Sequence, residues 1–185
     1  VFQTQVYEIQ EGTRVARGRG LLNFLELSTE EKVLSLVPST PTPGVDGKTP
    51  GVNEFKYLVM VTKNGRIKKT SLEEFDNVRK SGIISIKLEK GDLLKKVVKT
   101  TGQDDIILTT KNGIAIRFKE KDIRPMGRAA AGVKGIRLKK GDEVIGMDVI
   151  DKEKLPKKYL LVVMENGYGK RTDVVQYRLQ GRGGS

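Results

Sequence analysis

Three cations recur at one fixed place in this chain: Lys69, Arg117 and Arg171, each four residues after the glycine of an Asn-Gly pair at 64–65, 112–113 and 166–167. Lys68, Lys119 and Lys170 flank them, so each copy carries a basic cluster just beyond a turn. A second set, dominated by arginine, follows in the connecting segments: Arg14, Arg17, Arg19, Arg79, Lys80, Arg124, Arg128, Arg178 and Arg182. The chemistry these side chains offer is anion binding, and the planar guanidinium fork fits phosphate better than a point charge does. Ala129 to Ala131, Gly181, Gly183 and Gly184 beside them would let a duplex approach the backbone.

Composition narrows the choice further. Lys and Arg number 35 against 23 Asp and Glu, a formal charge of +12, and such an excess favours a polyanion as partner. Histidine and cysteine are both absent, which removes thiol nucleophiles, imidazole acid/base chemistry and zinc sites built on either residue. These 185 residues are therefore expected to bind and not to transform, with no catalytic residue, metal or cofactor of their own. Asp104-Asp105 and Glu30-Glu31 read as solvated turns. Five Tyr and five Phe are few for a base-stacking single-strand binder. No apolar run is long enough to span a membrane and no leader is apparent, so a soluble cytoplasmic protein is expected.

The elements that must hold these cations repeat with them. Tyr57 to Val61, Ile106 to Leu108 and Tyr159 to Met164 are nearly continuous apolar runs, the pattern of strands buried on both faces. Asn-Gly then supplies the positive torsions of a tight hairpin, and a more polar strand follows. A basic connection ends at Gly82 or Gly132, and a third strand is expected over Gly82–Leu88 and Gly132–Leu138. Lys90-Gly91-Asp92 or Lys140-Gly141-Asp142 turns into a fourth, over Leu93–Val98 and Glu143–Val149. Four strands per unit of about 50 residues is the period of a propeller blade.

The expected architecture is all-β and propeller-like, an array of four-stranded blades with two whole repeats (55–102, 103–154) and two partial ones (1–40, 155–185). In the first partial unit, Val1-Phe2-Gln3 reads as strand and Gly20–Leu25 as a third strand; the ends suggest an excised fragment. The stretch 38–54, with four of the six prolines, reads as a loop insertion. Ser71 with Glu74 has capping-box spacing for one turn of helix.

The order and spacing of these segments resemble the C-terminal DNA-wrapping domains that type IIA topoisomerases carry on their cleaving subunits, those of DNA gyrase more than those of topoisomerase IV. The likeness is carried by Val6-Tyr7-Glu8-Ile9 through Arg14 to Ala16-Arg17-Gly18-Arg19, by Asn64-Gly65 with Lys68-Lys69-Thr70, and by Arg117-Phe118-Lys119. It continues in Arg124-Pro125-Met126-Gly127-Arg128, Gly132 to Leu138 and Asn166 to Thr172. Gln180-Gly181-Arg182-Gly183-Gly184-Ser185 looks like a degenerate gyrase box, with Gly181 and Ser185 where cations usually stand. The resemblance implies a β-pinwheel, a propeller that exchanges strands between blades and wraps duplex DNA. It also implies a bacterial, nucleoid-associated parent built from the remainder of the cleaving (GyrA) polypeptide and its ATPase (GyrB) partner, in which ATP and Mg2+ are bound elsewhere and drive negative supercoiling. The rival readings are a propeller that binds an acidic protein and an enzymatic propeller, the latter weakened by the missing His and Cys.

Overall fold

A computed structural model describes residues 1–28, 31, 33–38, 55–151 and 158–184. The proline-rich stretch beyond Pro38, and Glu30, lie outside the described residues. Nine strands are described: β1 (Tyr57–Thr62), β2 (Arg66–Ser71), β3 (Leu94–Thr100), β4 (Asp105–Thr110), β5 (Ala115–Lys119), β6 (Val133–Lys134), β7 (Val144–Ile150), β8 (Tyr159–Val163) and β9 (Gly169–Asp173). They form three antiparallel sheets, ordered β3-β1-β2-β6, β5-β4-β7 and β8-β9. The fold is thus an array of propeller blades. Among the described residues helix is confined to single 3-10 turns, and none is long or apolar enough to cross a membrane.

Each blade begins with the expected hairpin, but the turn is of another kind. Gly65, Gly113 and Gly167 have φ of 79°, 82° and 81°, whereas the asparagines before them stay at negative φ. The Gly65 N–H donates to Thr62 O at 3.0 Å, as Gly113 does to Thr110. This is a type I turn closed by a left-handed glycine, so only the glycine takes a positive φ. Asp92 Oδ1 accepts the N–H groups of Asn64 and Leu93, both at 2.9 Å, and Asp142 Oδ1 those of Asn112 and Glu143. The Lys-Gly-Asp turn of each repeat is thereby pinned to that repeat's hairpin.

The third strand departs from expectation. Within 132–138 only β6 is a strand, and it pairs with β2 of the preceding repeat, Arg66 opposite Lys134 and Ile67 opposite Val133. The chain crosses because Gly132, at φ 83°, presses against the preceding blade: a Cβ there would lie 2.6 Å from Ile67 O. In the earlier repeat 82–88 is not a strand, and Ile83 instead exchanges hydrogen bonds with Val1. A strand requires a free edge to pair with, and none is described in 1–28. There Val1-Phe2-Gln3 and Gly20–Leu25 are not strands either; single turns occupy Val6–Glu8 and Leu21–Asn23. The turn expected after Ser71 exists over Leu72–Phe75, without a side-chain cap from Ser71.

The core lies between blades, because successive residues of a strand point to opposite faces. Val59 and Val61 of β1 join Ile106 and Leu108 of β4, with Ile67, Phe118, Ile123 and Met147, in the largest buried cluster. Leu58 and Met60 face the other way, onto Phe75 and Ile86. Ile107 turns toward the third unit and meets Val174. Sheets stacked on both faces have no solvent side, the condition that makes their strands read as continuous apolar runs.

Candidate nucleic-acid interface

The cations in register after the turns follow one plan in all three repeats. Each meets the first residue of its own blade's first strand: Lys69 Nζ lies 4.8 Å above the Tyr57 ring, Arg117 binds Asp105, and Arg171 lies 4.7 Å over Tyr159. The first two also reach into the next repeat. Lys69 Nζ is 3.6 Å from the Glu120 carboxylate and donates to Glu120 O. Arg117 Nε and Nη2 donate to Asp105 Oδ2 at 3.2 and 2.8 Å, while Nη1 donates to Val174 O and Tyr177 O. Lys69 and Arg117 therefore lock consecutive blades together, each buried with its carboxylate partner.

This corrects part of the sequence reading. Anion binding, the chemistry expected of Lys68, Lys69 and Arg117, requires exposure, but they are only 0%, 4% and 8% exposed, so they cannot meet a phosphate. Adjacent residues of a strand point to opposite faces, and here a neighbour covers both. Asp104 and Asp105 are likewise buried and are not a solvated turn. Arg171, with no further repeat described against it, is exposed.

Lys68 has a different environment. Its Nζ donates to Ser85 O at 2.6 Å and to Arg128 O at 2.5 Å, joining its own repeat to the basic connection of the next. Burial pushes its pKa down to about 8, and the nearby Glu74 charge opposes that only in part. An unfolded lysine titrates near about 10.4, so between the two values the unfolded chain holds more protons and this group makes stability rise with pH. Lys68→Met is expected to remove that rise, and to cost about 1–3 kcal/mol near neutrality because two buried carbonyls lose their donor. Urea midpoints of parent and variant, measured near neutral pH and again at about pH 10, check both points. Lys99, also lowered by burial, affects the two proteins alike, so parallel pH responses would exclude the Lys68 assignment.

The connections place their cations outward. Arg124 and Arg178 are exposed at equivalent positions, each one residue before a bridge to the preceding blade: Pro125 pairs with Lys69 and Leu179 with Arg117. Met126 N–H and Gln180 N–H then donate to Lys69 O and Arg117 O at 2.8 and 2.9 Å. Four residues further on, Arg128 is partly exposed beside Glu74 at 3.6 Å. Arg182 donates to Asp122 O and Lys134 O. Arg14, Arg17, Arg19, Arg79, Lys80 and Lys170 are exposed, and Lys119 is half-buried.

Sequence reasoning passed over Lys56 and Lys121. Both are exposed and line a cavity at the seam between the first two sheets, with Lys69 and Arg124. Lys56 recurs only as Lys158, with Asp104 between them in the register, and Lys121 does not recur, so periodicity did not single out the pair. Another inter-blade link, Lys63 to Glu143 at 2.9 Å, brings a first-hairpin cation to the start of β7. The contact with Lys63 holds the Glu143 carboxyl below its usual pKa.

Comparison with known proteins places the chain in a family. The family described as the DNA gyrase C-terminal domain, beta-propeller, matches residues 56–101, 104–151 and 158–185. The DNA gyrase GyrA polypeptide of Haloquadratum walsbyi is 43% identical over 184 residues, covering 100% of this chain and 21% of that protein. Its counterpart in Staphylococcus epidermidis is 41% identical over 184 residues, covering 100% of this chain and 19% of that protein. The chain thus spans about a fifth of the length of these curated relatives. Among solved structures, a C-terminal domain of DNA topoisomerase IV superposes with a TM-score of 0.76 at 26% identity, covering 90% of this chain and 48% of that one. A DNA gyrase A C-terminal domain superposes with a TM-score of 0.63 at 32% identity, covering 74% of this chain and 44% of that one.

Proposed function

The chain belongs to the DNA gyrase C-terminal β-propeller family, and from that premise we propose that it binds and bends duplex DNA through its phosphates, independently of base sequence. The observation that carries this reading is the repeated outward arginine, Arg124 and then Arg178, each held at the same point of a connection by a bridge to the blade before it. A regular spacing of cations along a stack of blades suits a regular spacing of phosphates along a curved duplex. Arg128, Arg182, Arg79, Lys80 and the exposed arginines of 11–20 extend the basic surface.

Bending 20–30 base pairs by 40–90° costs on the order of 1–6 kcal/mol, which contacts to the backbone must offset. A protein that wraps a closed circle with one handedness alters its writhe, whereas a planar bend does not. The chain is therefore expected to shift the linking-number distribution of circular DNA relaxed in its presence. An unshifted distribution at saturating protein would exclude a handed wrap, and unaltered ligase closure of short duplexes into circles would leave simple adhesion and remove bending.

The parent reading follows as part of the proposal. The chain would serve the GyrA polypeptide of a cytoplasmic gyrase assembled with GyrB, with strand cleavage, ATP and Mg2+ handled outside these residues. Gyrase is favoured over topoisomerase IV by the higher identity to the gyrase domain, 32% against 26%.

A further inference from the structure

We infer that the seam between the first two blades is a phosphate site, a cationic cavity that seats one phosphate group of the duplex backbone. The inference rests on the DNA-binding reading and deepens it by assigning a contact to Lys56, Lys121 and Arg124. The cavity, about 350 Å³, is lined by these three with Lys69 in its wall, and none of its lining residues is acidic. A second polar cavity, between Ser71 and Arg128, is lined by Glu73 and Glu74 against a single cation and would repel an anion.

The cations stand on braced elements. Lys56 is tied by backbone hydrogen bonds to Thr100 and Leu72, and Lys121 belongs to the 3-10 turn Glu120–Asp122. Arg124 immediately precedes the bridge from Pro125 to Lys69. Thr101 donates through both N–H and Oγ1 to Asp104, and Gly102 N–H donates to Glu120 at 2.9 Å, so the loop under the cavity is also held. The nearby acid Glu120, which could cancel the charge, is turned inward: it is fully buried, accepting from Thr100 Oγ1 at 2.7 Å and facing Lys69. Lys and Arg side chains rooted on held backbone around a pocket with no lining carboxylate converge on one position for an oxyanion, which a lone surface lysine does not.

The site is specific to this seam. In the next one, Asp104 stands at the place of Lys56 and Val175 at that of Lys121, while Arg178 matches Arg124. Charge in register around the array would have kept all three.

The test compares the triple substitution Lys56→Ala, Lys121→Ala, Arg124→Ala with an equal loss of charge at exposed residues away from the seam cavity, Lys87→Ala, Lys139→Ala, Lys140→Ala. The seam variant is expected to melt like the parent, to bind duplex more weakly, and to have a logarithmic salt slope shallower by about 1, the share of a single phosphate. The control should lose less. Parent, seam variant and control binding alike, or a control that weakens as much as the seam variant, overturns the assignment while the DNA-binding reading stands. A parent that fails to bind duplex overturns both. Titrating inorganic phosphate alone separates a polymer site from a site for the free anion. Duplex should move the amide resonances of Gly102 and Gln103, and inorganic phosphate at the same phosphate concentration should not. Saturable shifts with inorganic phosphate alone overturn the duplex assignment.

Discussion

Replacing Arg117 with methionine is expected to cost the chain about 3–5 kcal/mol, a large share of the total for a typical domain. The side chain is 9% exposed and that of its partner Asp105 2%, and the guanidinium also serves Val174 O and Tyr177 O in the following repeat. Removing it leaves a carboxylate buried without its cation and two carbonyls without their donor. A charge reversal at Arg117 would do more damage, placing two carboxylates together. It therefore reports on the fold and not directly on DNA contact, as an exposed arginine would have done. Urea unfolding of parent and Arg117→Met measures the loss. Joint replacement of Arg117 by methionine and Asp105 by leucine should recover much of it, because an apolar pair removes the stranded charge. An unchanged midpoint in the single variant would mean that Arg117 does not hold the second and third units together.

Raising salt from about 50 to about 200 mM is expected to weaken duplex binding by about 10³–10⁵ if six to ten phosphates are engaged. The corresponding logarithmic slope is about −5 to −9. Lys68, Lys69 and Arg117 contribute nothing to it, since buried cations release no counterions from DNA. The slope must come from exposed positions such as Arg124, Arg178, Arg79 and Lys80. Duplexes of unrelated base sequence should give the same slope and nearly the same affinity, since phosphate contacts carry no base information. Affinity that is insensitive to salt would remove the electrostatic mechanism. Strong dependence on base sequence would require contacts to base edges.

Much of the fold is legible in the chain as written. The apolar runs at 57–61 and 106–108, the Asn-Gly turns and the Lys-Gly-Asp turns are local signals, and the strands and pinned turns they announce are present. The third segment was less legible, because Gly132 leads it onto a neighbouring sheet and pairing across repeats leaves no local mark. The interface was legible as a charge sign and a set of connections. Its membership was not: Lys56 recurs only as Lys158 and Lys121 not at all, and the two come together only at a seam.

Lys69, Arg117 and Arg171 make the division clear. The sequence by itself determined that a cation stands four residues past each turn glycine, that the units recur, and that the chain is strongly basic, because these follow from residue type and spacing. Only the tertiary structure decided what those cations do. Stacking one sheet on the next covers both faces, so Lys69 and Arg117 are drawn inside to partners in the following repeat, while Arg171, in the same register, remains in water. Burial depends on which surface lies opposite, and a repeat carries no record of its neighbour.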